Sequence, residues 1–215
     1  MAQLVQTPTS AGSGYIYRID KATWSDARNG AGEVASGGAA SGYVQGTTSG
    51  GLFYVQRIFL SFDTSSIPSN TTIDSVTLVV TQTGHRGAGS TGAVVLSTQA
   101  SPTALAATDY QLCGTTLGSN TQSMAGVDGT TTTFTFNSTG LGWIVKNGAT
   151  ILCIRDNTYD IANVQPSALD DANIYIMTAA KYPTLTVNYT LIPTTNYLKE
   201  RYHNREDMGG YSLGG

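Results

Sequence analysis

Leu52-Phe-Tyr-Val-Gln-Arg-Ile-Phe-Leu-Ser-Phe62 decides the fold. Leu52, Tyr54, Ile58, Leu60 and Phe62 fall on one side of a two-residue repeat, with Arg57 and Ser61 on the other. Successive side chains leave a β-strand on opposite faces, so alternation of this kind predicts a long strand with one face buried. The turn-forming run Asp63-Thr-Ser-Ser-Ile-Pro-Ser-Asn70 follows. Ile73 to Thr81 then alternates again, with Val76, Leu78 and Val80 set against Thr77, Val79 and Thr81.

Outward from this pair, the same pattern predicts strands at Ala93–Ser97, Thr131–Asn137, Thr150–Arg155, Asn173–Met177 and Thr184–Thr190, with shorter ones at Tyr15–Ile19 and Tyr43–Gln45. Asn29-Gly30, Gly50-Gly51, Asp128-Gly129 and Asn147-Gly148 punctuate the runs as turns. A helical turn is expected around Ser138–Lys146, with Trp143, Ile144 and Val145 capping the core. Many short strands without a long amphipathic helix predict an all-β, antiparallel β-sandwich, jelly-roll-like, with an extended C-terminal arm. The expected division is an N-terminal extension over 1–13, the sandwich over 14–192 and the arm over 193–215.

With 215 residues, one sandwich can bury a sufficient core without a metal or disulfide staple. Charged residues make up 12% of the chain, about half the usual share. Thr, Ser, Gly and Asn take their place, which suits a rigid β-structure outside the cytosol or packed in a large assembly. Net charge is −3, with no Lys/Arg run to neutralise a row of phosphates, which disfavours nucleic acid as a partner. The opening Met-Ala-Gln-Leu-Val-Gln-Thr-Pro lacks the basic and apolar regions of a secretory signal, so a chain that acts outside a cell would leave by another route, such as lysis, or would have been trimmed. No apolar stretch is long enough to span a bilayer, and no membrane role is expected. Cys153 lies in an apolar strand and Cys113 in a loop; spacing leaves open both a buried free thiol and a Cys113–Cys153 bridge.

Catalytic patterns are missing. His85 and His203 stand in no zinc-ligand spacing, and neither a GxSxG elbow nor a phosphate-binding loop occurs. Asp20, Asp26, Glu33 and Asp63 would serve a glycosidase if two of them converged; otherwise they are scattered loop acids. Asp156, Asp160, Asp170 and Asp171 offer hard oxygen ligands that would suit calcium, or are solvated acids. No catalytic residue, metal site or cofactor is expected, with calcium at these acids as the alternative. For ligand binding the candidates are Trp24, Arg28, Tyr15 and Tyr17. An exposed Trp24 beside Arg28 would stack on a sugar ring or anchor an interface; the alternative is that Trp24 plugs the end of the sandwich.

After Pro193 the alternation stops, and Lys199, Glu200, Arg201, Arg205, Glu206 and Asp207 appear among Tyr197, Tyr202 and Tyr211. One reading is a poorly ordered chain end. The other is an arm that orders against a neighbouring subunit through Tyr197, Arg201, Tyr202, Arg205 and Tyr211.

Arg57-Ile-Phe-Leu-Ser-Phe-Asp63, Ser66-Ile-Pro and Ile73-Asp-Ser-Val-Thr-Leu78 together resemble the opening strands of DNRLRE-type β-sandwich domains. Gly148-Ala-Thr-Ile-Leu-Cys-Ile-Arg155 and Tyr182-Pro-Thr-Leu-Thr-Val-Asn-Tyr189 look like later strands of the same group, so the resemblance spans about residues 15–190. It implies either carbohydrate binding in a secreted or cell-surface protein or a place in a bacteriophage particle. The expectation is a non-enzymatic structural protein of a virion: capsid decoration, tail or fibre, on the virion surface. Its partners would be other virion proteins or copies of itself. The alternative is an extracellular carbohydrate-binding module that meets a surface glycan.

Overall fold

The computed structural model describes residues 1–86, 90–167, 169, 171–175 and 181–193. Its strands are β1 (Ala2–Gln6), β2 (Gly14–Lys21), β3 (Val34–Gly37), β4 (Ser41–Ser49), β5 (Leu52–Asp63), β6 (Thr71–Arg86), β7 (Thr91–Leu96), β8 (Gln122–Ser123), β9 (Thr131–Thr135), β10 (Ala149–Asp156), β11 (Asp171–Tyr175) and β12 (Thr184–Leu191). All pairings are antiparallel, and the strands form two sheets. The chain is an all-β sandwich.

One sheet runs β1-β12-β6-β9, and the other runs β11-β4-β5-β10-β7-β8. In the second sheet, β4 pairs with residues 52–56 of β5 and β10 with residues 58–63, so the two share one edge in tandem. β2 takes the other edge, with β3 beyond it. The 16-residue β6 belongs to both sheets. Residues 71–81 pair with β12 and β9, and from Gln82 onward the strand pairs with β11. Gln82 is buried at this crossing, where its amide donates to Thr132 Oγ1 at 2.7 Å and to the Ser123 carbonyl at 3.2 Å.

The β4–β5 hairpin turns on Gly50-Gly51, with Ser49 opposite Leu52. Their φ values of +59° and +81° are those of a type I′ turn, whose twist matches the strands it joins.

Between the sheets lie Ile58, Leu60 and Phe62 of β5, packed with Val76, Leu78 and Val80 of β6, Phe134, Leu152, Leu185 and Val187. The other face of β5 departs from expectation. Val55, Arg57, Phe59 and Ser61 are buried as well, so β5 has two buried faces. A layer of non-sheet segments covers it: helix α1 (Trp24–Asn29), a 3₁₀ turn at Ala107–Leu112 and a π-helical turn at Asn157–Ile161. The cysteines are joined, Cys113 to Cys153, with Cα atoms 6.0 Å apart, and the bridge fastens the end of the 3₁₀ turn to β10.

Residues 1–13 are not a free extension: Ala2–Gln6 pairs along its length with β12. The expected helical turn near 138 is α2 (Ser138–Leu141), capped by the Asn137 side chain, which accepts from Gly140 N. Ile144 is buried beneath it and Trp143 packs against the same core, but Val145 points to solvent. The arm residues Tyr197, Arg201, Tyr202, Arg205 and Tyr211 lie outside the described residues, as does His203.

Candidate functional site

Behind β5 the covering layer closes over an ionic cluster. Asp160, on the π-helical turn, is fully buried. Arg57 donates to its two carboxylate oxygens at 2.9 Å each, and Arg155 does the same at 2.8 and 2.6 Å. The remaining guanidinium donors reach carbonyls: Arg57 to Tyr110 and Arg28, Arg155 to Cys113 and Gly114. Tyr110 lies flat beneath Arg57, 4.0 Å from ring centroid to guanidinium carbon, and donates its hydroxyl to the Ala27 carbonyl at 2.7 Å. Burial works to raise the Asp160 pKa, but the charges of Arg57 and Arg155 overcome it and hold the carboxylate well below its usual range. Two bidentate pairs in a dry site fix geometry and leave no lone pair for a substrate.

Asp156 sits one turn away. It accepts from Tyr159 N at 2.6 Å, capping the π-helical turn, and from Ser90 Oγ. Burial pushes its pKa up to about 7 against these hydrogen bonds, and the neighbouring Asp160 charge adds to the rise. The acidic loop is therefore no calcium cage at these two positions: one carboxylate is claimed by arginines and the other by a cap and a hydroxyl. Asp170 lies outside the described residues.

Trp24 is 7% exposed and packs edge-to-face on Phe53, with ring centroids 6.1 Å apart. Its place is the plug and not the exposed platform, because α1 turns the indole under the layer that roofs β5. Arg28 donates from Nε to the Asp160 carbonyl at 2.6 Å, tying α1 to the π-helical turn. The acids considered as a glycosidase pair have other company. Asp26 pairs with Arg18 at 2.6 Å, Glu33 with Lys21, Asp20 accepts from the Tyr54 hydroxyl at 2.8 Å, and Asp63 accepts from Ser65 N at 2.9 Å. Asp63 is also ten residues along β5 from Phe53, the partner of Lys21, which is roughly 33 Å of strand.

Tyr15 and Tyr17 come together. They stack with centroids 6.2 Å apart and planes 26° from parallel. Both line an open groove of ≈ 400 Å³ with Ile19, Tyr43, Gln45 and Gln56. Strand register puts Tyr17, Gln56 and Gln45 in one row across β2, β5 and β4. Partly exposed phenol rings thus stand beside two buried amides, on the sheet face that elsewhere meets the opposite sheet. The groove joins ring faces to amide donors and acceptors without a charged side chain in its lining.

A second cleft, of ≈ 450 Å³, opens beside the disulfide and is walled by Trp143, Leu96 and Leu112. Trp143 lies against Gly118, where a Cβ would sit 1.9 Å from the indole.

No protein-family model matches the chain, and no curated protein does.

Tyr110, Asp160 and Tyr43 carry much of this geometry, and sequence reasoning gave none of them these places. Arg57 was the available signal: a guanidinium in the middle of an apolar strand needs a buried carboxylate from elsewhere in the chain.

Proposed function

We propose that this chain is a non-enzymatic structural protein of a bacteriophage particle, a capsid decoration, tail or fibre component that works through protein contacts. The observation that supports this reading is the fate of its buried charges. Arg57, Arg155 and Asp160 are spent on one another beneath a disulfide-fastened roof, an arrangement suited to shape and not to turnover. A charge-poor composition rich in Thr and Ser and the resemblance to DNRLRE-type sandwiches agree with it. The test is a density gradient of lysate from cells that express the native gene cluster, with the chain followed by mass spectrometry. It is expected to band with particles; recovery solely from the free-protein fractions would refute the assignment.

The Tyr15–Tyr17 groove favours a second reading, a carbohydrate-binding module. Tyrosine faces stack on the apolar face of a sugar ring, and buried amides select its hydroxyls. On a glycan array, Tyr17→Ala is expected to weaken any ligand by about tenfold, the loss of one aromatic contact of about 1.4 kcal/mol. An unmodified chain that binds no glycan would remove this reading.

A further inference from the structure

We infer that β1 is a self-pairing edge, through which two copies of this chain join their first sheets about a two-fold axis. The inference rests on the reading that the molecule works through contacts, and it names one of them.

β1 pairs with β12 on one side, and among the described residues no element pairs with its other side. Alternate N–H and C=O groups of a strand so placed point outward and match another strand. Natural edges are usually blunted by a charge, a proline, a bulge or extreme shortness. β1 carries none of the first three: Ala2-Gln-Leu-Val-Gln6 is uncharged, proline-free and in unbroken register with β12. The edges of the other sheet are shorter, four residues in β3 and two in β8.

A second copy is the occupant that the side chains favour. A two-fold contact sets a surface against itself, so any charge near the axis meets its like. The seam avoids this. Val5, Thr186, Thr77 and Thr135 form one outward row across the four strands, without a charge. The next row is Gln3, Asn188 and Ser75, linked by side-chain hydrogen bonds of 3.0 and 2.9 Å. Val5 is 53% exposed, and Leu191 and Ile192, 54% and 51% exposed, stand at the end of the seam. Full overlap of two such strands, antiparallel, places Leu4 on the axis and Gln3 opposite Val5 of the second copy.

Sedimentation of the full chain tests this. The unmodified chain is expected to form a dimer. Val5→Lys, at an exposed position that leaves the core intact, is expected to raise the dissociation constant by about tenfold or more by setting a like charge on both sides of the seam. Its unfolding midpoint serves as the folding control. When Gln3→Cys and Val5→Cys chains are mixed under mild oxidation, a mixed cross-linked dimer should exceed what either gives alone. A monomeric unmodified chain, or a dimer indifferent to Val5→Lys and without the mixed cross-link, overturns the inference. A monomer that still bands with particles overturns the seam and spares the contact reading. A β1-dependent dimer absent from particles does the reverse.

Discussion

Asp160 holds two guanidiniums in a site closed to water, so Asp160→Asn would strand both. Removing one partner of a buried ionic group costs about 3–5 kcal/mol, because the charge left behind has no solvent. Urea unfolding of the variant is expected to show a loss of that size; a loss below 1 kcal/mol would mean that water reaches the cluster. The two neighbouring carboxylates respond to pH with opposite sign. Asp160 is held below its unfolded value, so its contribution is complete above the unfolded carboxylate value near 4 and is lost as pH falls through the folded one. Asp156 is raised to about 7, so between about pH 4 and pH 7 the folded chain keeps a proton that the unfolded chain has released. Its contribution is full below 4 and declines toward 7, with a slope of up to about 1.4 kcal/mol per pH unit. Stability measured across that window should therefore flatten in Asp156→Asn, which keeps an oxygen for the cap but cannot ionise. An unchanged slope would place the titration elsewhere.

Elements were legible where an apolar run was long enough to show its period. β5, β6, β10 and β12 each have several core residues on one parity, and their alternation gave strands in the right places. β1 has only Leu4 directed at the core, too little to separate a strand from an extension. α1 has six residues, fewer than two turns, and its signal was a Thr23 side chain accepting from Asp26 N. The tandem placement of β4 and β10 on one edge of β5 depends on registers that no local pattern encodes. The Arg57–Asp160 pair bridges 103 positions and leaves no trace in spacing. Composition could not choose between a free and a bridged Cys153, because both suit an apolar strand. The bridge spans 40 residues, for which chain entropy gives a stabilisation of about 4 kcal/mol. Reduction, or Cys113→Ser, is expected to lower the melting temperature by roughly 5–15 °C. It should also loosen the end of the 3₁₀ turn first, since that is the segment the bridge fastens to β10. Equal melting curves with and without reductant would contradict the bridge.

At the scale of the molecule, β5 unites two interiors: Ile58, Leu60 and Phe62 serve the space between the sheets, and Val55, Arg57 and Phe59 the space under the roof. The sandwich itself was readable from alternation, whereas the roof was not, because it consists of short turns whose residues show no period. The first sheet is stitched from distant parts of the chain, with Ala2 beside Tyr189. Synthesis at about 5–20 residues per second completes β1 roughly 10–40 s before β12. Throughout that interval Leu4 lacks its neighbour Val187, and the unpaired strand must be kept from aggregating until β12 is in place.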